Sequence, residues 1–327
     1  MKLQHRARPA MIAALDRALS ADGASALDPT VPSHVWRRAL SGPAVEFLAR
    51  PGKALRTTIV TAGWLLGGGA PDAMPDRLPL VIEILHAGSL IVDDVEDGSD
   101  ERRGAPTLHR LVGVPLAINT GSWMYFWALA ELAQLGLAPE IELAAHRCAT
   151  STLVRCHQGQ ALDLATRIDT LAIEEVPAVV AATTRLKTGV LCRFGAELGA
   201  LAAGGAQRAA IASFGEAMGI GLQMLDDLGS LTSDARLDKG REDLRERRPT
   251  WPWAWLAEDP AAFAEVAAIG DIDVTAAALV ERIGVKGRAR IRAALDGALA
   301  QLVSAVGTSR VTDMIGAELS RMETSYG

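Results

Sequence analysis

The sequence predicts an all-α protein. Of 327 residues 49% are hydrophobic and only 4% aromatic, and the apolar share is carried mostly by Ala and Leu, strong helix formers, with little β-branched alternation. Breaks rich in Gly, Pro and Asp divide the chain into helical segments of roughly 15 to 25 residues. A mean hydropathy of +0.18 supports a sizeable core.

Taken in order, the first segment precedes a break at residues 20–33; it holds Lys2, Arg6 and Arg8 but no continuous apolar signal core. Further breaks fall at 66–79, at 136–139, near Pro177, at Gly204-Gly205 and over 233–250. Between them two helices stand out, Leu80 to Asp97 and Arg208 to Leu231, each apolar and each with an aspartate pair near its C-terminal end. The stretch Asp234 to Arg248 mixes charge signs and reads either as a solvated connector or as a flap over a phosphate site. No repeat and no long polar linker appears, so we expect a single domain over residues 1–327, with both aspartate pairs brought to one mouth of a helical bundle.

The net charge of −6 offers no basic field to nucleic acid, and no apolar run is long enough to span a bilayer. Cys148, Cys156 and Cys192 are odd in number and unclustered, which points to the reducing cytoplasm.

Asp93-Asp94-Val95-Glu96-Asp97 and Asp226-Asp227 lie about 130 residues apart in apolar surroundings. Carboxylates buried there must take up protons or be offset by cations. Oxygen donors without a Cys or His cluster favour Mg²⁺, held by a few carboxylates, waters and substrate phosphates. His86, Asp93 and Asp97 follow one another at spacings of seven and four, which places them on one helix face, with Glu83 a turn earlier. The paired Arg102-Arg103 beyond suits phosphate oxygens. Lys53 and Arg56, three residues apart, would share a side of a helix starting there, a weak signal alone.

In order the chain reads Gly52-Lys53-x-x-Arg56, Glu83-x-x-His86, Asp93-Asp94-x-x-Asp97, Arg102-Arg103-Gly104, Gly159-Gln160-x-x-Asp163, Lys187-Thr188-Gly189 and Gln223-x-x-Asp226-Asp227, then Lys239 and Asp243. Over roughly residues 45–255 this resembles the trans-isoprenyl diphosphate synthases, the polyprenyl synthetase family. The resemblance implies an all-α bundle around a central cavity, usually in a homodimer. It implies that Asp93, Asp97 and Asp226 hold three Mg²⁺ ions on an allylic diphosphate, supported by Asp94 and Asp227. Arg102, Lys187, Thr188, Gln223 and Lys239 would complete that site. Lys53, Arg56, His86 and Arg103 would bind isopentenyl diphosphate, and Gln160 and Asp163 would sit near the reacting carbon.

The activity so implied is ionisation of the allylic C–O bond, attack by the isopentenyl double bond and loss of a proton to the released diphosphate. Three departures stand out: Ser230 replaces the family's usual last Asp of the second motif, the Lys53–Arg56 motif is altered at both ends, and Val92 and Ser122 stand where His and Asp are common. Small Gly88 and Ser89 before the first motif allow a product of twenty carbons or more, which points to geranylgeranyl diphosphate, with Trp123 to Trp127 as a candidate floor, Met124 and Phe126 foremost. Farnesyl or longer-chain synthesis, a class I terpene cyclase helped by Trp251, Trp253 and Trp255, and a non-catalytic regulatory subunit are the alternatives.

Overall fold

A computed structural model of the chain describes residues 7–23, 25–52, 55–205, 207–233 and 237–326. Lys53 lies outside the described residues. The described residues are mainly helical, with one short hairpin. Those up to Thr150, with Leu198 to Gly205, form one compact unit, and Ser151 to Glu197 with Gln207 onward form a second. Two of the passages between units occur inside helices.

The first unit contains α1 (Ala7–Leu19), α2 (Ser33–Trp36), α3 (Gly42–Leu48), α4 (Leu55–Leu66), α5 (Leu78–Glu96), a hairpin of β1 (Glu101–Arg102) and β2 (Ala105–Pro106), α6 (Leu108–Val112) and α7 (Val114–Ala133). Its core is the packing of α5 on α7, where Ile82, Ile84, Leu85, Ile91, Met124 and Trp127 are fully buried. Two glycines set the closeness of that crossing. A Cβ on Gly88 would lie 2.7 Å from the Gly121 carbonyl oxygen, and one on Gly121 2.8 Å from a Val92 methyl, so the backbones meet where side chains are absent.

Helices α8 (Pro139–Ala165) and α10 (Val190–Ala202) contribute to both units, while α9 (Val176–Thr184) and a π-helical turn at Arg185–Gly189 belong to the second. There α11 (Arg208–Thr232) packs along α15 (Ile272–Val306), joined by α12 (Leu237–Arg245), α13 (Trp251–Leu256), α14 (Pro260–Ala267) and α16 (Arg310–Tyr326). Asp259 and Asp271 begin α14 and α15 by accepting hydrogen bonds from Ala262 N and Val274 N, a usual N-cap. The tail beyond residue 260, unspecific in sequence, thus provides a 35-residue helix against which α11 rests. Among the described residues no helix is long and apolar enough to cross a membrane.

Candidate active site

The first unit ends α5 in a carboxylate cluster. Asp93 and Asp94 occupy its last turn and Asp97 is its C-cap residue. Asp94 is fully buried. Its Oδ1 accepts from Arg102 Nε at 2.6 Å and pairs with Arg102 Nη2, while Arg102 also lies 3.5 Å from Asp93 Oδ2. Burial raises the Asp94 pKa against the pull of Arg102, and the Asp93 charge adds to the rise. For Arg102 burial works the other way, yet Asp94, Asp93 and Asp97 outweigh it and raise its pKa. Asp94 Oδ2 is buried without a hydrogen-bond partner, a costly state for a carboxylate oxygen.

That orphaned oxygen in an all-oxygen donor set fits a hard divalent cation. Among the described residues no three His, Cys, Asp or Glu side chains converge as a ready-made cage. The fit is therefore to an ion such as Mg²⁺ that draws much of its shell from water and phosphate.

Beside the acids stands a cationic cluster. Burial and the neighbouring Arg56, Arg103 and Arg102 hold the His86 pKa well below its usual value, although the ring keeps a partly open face. His86 is therefore a neutral ring in a positive field near pH 7. Arg56 Nε is buried without a partner, as an anion-binding guanidinium would be before its ligand arrives. Glu83 is explained by the same corner: its Oε1 accepts from Thr57 N and Thr57 Oγ1, each at 2.9 Å. It thereby caps the first turn of α4, which carries Arg56.

Arg102 and Arg103 sit on the hairpin, paired Glu101 with Pro106 and Arg102 with Ala105. The turn between, Arg103-Gly104, has φ of 58° and 76°. Both signs match a type I′ turn, which tightens a hairpin but suits Asn-Gly far better than Arg-Gly.

In the second unit, Gln223, Asp226 and Asp227 lie on α11. Lys239 of α12 donates to Asp226 Oδ2 at 2.8 Å; partial desolvation opposes its charge, but Asp226 and Asp243 raise its pKa. Asp227 is committed at both oxygens, accepting from Gln223 Nε2 at 2.8 Å and from Trp251 N at 3.0 Å. Burial, against those two hydrogen bonds and with help from Asp226 and Asp243, pushes its pKa up to about 7. Gln223 also accepts from Thr188 Oγ1 at 3.0 Å. Lys187 donates to Asp163 Oδ2 at 2.5 Å. The π turn brings Lys187 there because Gly159 has no side chain: a Cβ would lie 2.7 Å from Lys187 N. Gln160 follows that glycine on α8.

Sequence reasoning underweighted two partners here. Arg248 lies 3.7 Å from Asp163 Oδ2 and 4.0 Å from Asp243 Oδ1, and Asp243 is pushed up to about 6 by burial, against Lys239 and Arg248. Both come from the charged stretch read as a connector or a flap. Most of that stretch is instead helix α12, docked on α11, where Gly240 lies so close that a Cβ would sit 2.3 Å from the Ser230 carbonyl oxygen. Residues 234–236 are outside the described residues. Ser230 is 4% exposed and donates to the Asp227 carbonyl at 2.8 Å. Its small side chain suits the close α12 contact.

The structure bears on the chain-length residues at two points. Gly88 also lies where α7 crosses α5, with Met124 Cβ 3.0 Å from its would-be Cβ, so helix packing is a second reason for its size beside room for a growing chain. Phe126 is 69% exposed. Two positions beyond buried Met124, it faces the opposite side of α7 and forms no floor within its own subunit. Trp253 and Trp255 are buried core residues, the former edge-on to Phe263 at 5.2 Å between ring centres.

Comparison with known proteins identifies the family. The family model described as polyprenyl synthetase matches residues 37–278. Geranylgeranyl pyrophosphate synthase of Apiospora sacchari is 34% identical over 232 residues, 70% of this chain and 66% of that protein. Its counterpart in Penicillium canescens is 32% identical over 219 residues, covering 66% and 62%. The matches thus span about half to two thirds of the length of these curated relatives. A crystal structure of a decaprenyl diphosphate synthase from Rhodobacter capsulatus superposes with a TM-score of 0.78 at 20% identity, covering 98% of this chain and 96% of that one, a likeness of fold. With the motifs in order and the family match running over most of the chain, the protein belongs to the polyprenyl synthetase family.

Proposed function

We propose that the chain is a Mg²⁺-dependent prenyltransferase that condenses isopentenyl diphosphate with an allylic diphosphate, giving geranylgeranyl diphosphate. The observation that carries this reading is the pairing, within the first unit, of a cationic cluster with an unpartnered buried Arg56 Nε and a carboxylate cluster with an unpartnered Asp94 oxygen. One half asks for an anion and the other for a cation, which is the need of a metal-bound diphosphate next to a free one. The names of the fungal relatives support the twenty-carbon product.

In this reaction the allylic C–O bond breaks with its electron pair passing to diphosphate, the isopentenyl double bond forms the new C–C bond, and a proton leaves the adjacent carbon. Bound Mg²⁺ would neutralise charge on the departing diphosphate. In the first unit Asp93, Asp94 and Asp97 are the candidate Mg²⁺ holders, and in the second Asp226, supported by Asp227, whose own oxygens are taken. Lys187, held by Asp163, and Lys239, held by Asp226, supply fixed positive charge for the leaving group. Thr188 and Gln223 orient one another. Arg56, Arg103 and neutral His86 bind isopentenyl diphosphate, joined by Lys53.

We read the two units as a single synthase domain, which the family match running through both supports. We also propose a homodimer. Val114, Ile118 and Phe126, at spacings of four and eight on α7, are 46%, 42% and 69% exposed, an apolar stripe that a second copy would cover. Cys148, Cys156 and Cys192, which form no disulfide among the described residues, support a cytoplasmic home. The test is incorporation of labelled isopentenyl diphosphate into a linear product, dependent on both an allylic primer and Mg²⁺; incorporation unaffected by a chelator would contradict the metal role.

A further inference from the structure

We propose that Arg50 is a positioning residue that clamps the hairpin carrying Arg102 and Arg103, and so sets the isopentenyl diphosphate site; this rests on the reading of Arg103 as a diphosphate ligand.

Arg50 follows α3 and is 5% exposed. A buried guanidinium must be paired and its donors used. Glu46, one helical turn earlier, supplies the charge, accepting from Arg50 Nη2 at 2.8 Å and Nε at 3.3 Å. The remaining donors reach across to the hairpin. Nη1 donates to the Arg102 carbonyl at 3.2 Å and Nη2 to the Pro106 carbonyl at 2.6 Å, so one side chain holds both strands.

What it holds is under strain. Arg103 has φ of 58°, a conformation that a residue with a long side chain keeps only when its surroundings over-determine it. The same short segment supplies those surroundings. The Arg103 guanidinium lies over the Phe47 ring at 5.8 Å from its centre, while Arg50 covers the same ring at 5.3 Å. Gly52 leaves room for it, since a Cβ there would sit 3.3 Å from Arg103 Nη1. Glu46, Phe47, Arg50 and Gly52 thus fix the strands, the turn and the guanidinium, and the Arg103 charge is delivered into the field around His86.

The role separates from plain stabilisation by experiment. Arg50→Met keeps the side-chain length and removes every donor; Arg50→Lys keeps the charge for Glu46, but one ammonium cannot span both strands. Hydrogen exchange over residues 101–107 reads the clamp, and calorimetric binding of isopentenyl diphosphate and of inorganic diphosphate reads the site, in wild type, both variants, Arg103→Ala and Arg50→Met/Arg103→Ala. We expect faster hairpin exchange in both Arg50 variants and isopentenyl diphosphate binding weakened roughly tenfold, with no further loss when Arg50→Met is added to Arg103→Ala, as for residues acting through one another. In steady state KM for isopentenyl diphosphate should rise more than kcat falls. Unchanged exchange, unchanged affinity, or an equal loss in both backgrounds would overturn the proposal. Should Arg50→Met not fold, Arg50→Lys carries the same comparison. If wild type binds inorganic diphosphate but makes no elongated product, the functional reading fails, and the clamp is judged by exchange and diphosphate binding alone.

Discussion

Replacing Gly88 with Ala tests the helix crossing that underlies the carboxylate cluster. The added methyl would meet the Gly121 carbonyl oxygen at 2.7 Å and Met124 Cβ at 3.0 Å. The nearer atom is backbone, so no rotamer change relieves the contact, and α5 and α7 must part by a few tenths of an ångström. Overpacking of this kind costs about 1–3 kcal/mol, and the better helix propensity of Ala returns about 1 kcal/mol. The net is a loss of up to about 2 kcal/mol, visible as a fall of up to a few degrees in Tm. Thermal denaturation measures it, with product analysis on the same preparation. We expect lower stability with unchanged product length, because the methyl enters a helix contact. A variant as stable as wild type that shortens the product would refute the packing argument.

Asp93→Ala should lower turnover by about a thousandfold or more, the scale of lost electrostatic stabilisation at a charge-bearing transition state; near-normal turnover would defeat the metal assignment. His86→Ala should mainly weaken isopentenyl diphosphate binding, and a selective loss of allylic affinity would show the two sites exchanged. Stability of the metal-free protein should depend on pH through Asp227 and Asp243. Both carboxyls bind their protons more tightly when folded, from a usual 3.8 up to about 7 and about 6. Their contribution is therefore full below about pH 4 and is lost as pH rises through those values, by at most about 4 kcal/mol for Asp227. Denaturant titration of Asp227→Asn should lack the decline between pH 6 and 7; an unaltered slope there would reject the assignment. Phe126→Glu should convert a dimer to a monomer in sedimentation, and an unshifted mass would remove α7 from the interface.

Much of the candidate site was legible because its helices announce themselves. The reading Leu80 to Asp97 became Leu78–Glu96 with Asp97 as cap, and Arg208 to Leu231 became Arg208–Thr232. In both, an apolar run closes on acids. Contacts made across the fold were not legible. Nothing local marks Arg103 as left-handed, since that conformation is imposed by the hairpin and by Phe47. Arg50 reads as one more surface cation until its carbonyl partners, 52 and 56 residues away, are known. Gly88 reads as room for a growing chain, and the crossing of α7 adds a second reason for its size that sequence cannot show, because a missing side chain looks the same in either case. The charged stretch before Arg248 scores as solvated by composition, yet Gly240 against Ser230 and Lys239 on Asp226 dock it as α12.

In the proposed function these residues run a chain elongation ending at twenty carbons. Purified protein with Mg²⁺ and isopentenyl diphosphate, primed separately with dimethylallyl, geranyl and farnesyl diphosphates, should give geranylgeranyl diphosphate as the longest abundant product in mass spectrometry. A hydrocarbon or alcohol from a single prenyl diphosphate, with no elongation, would contradict it.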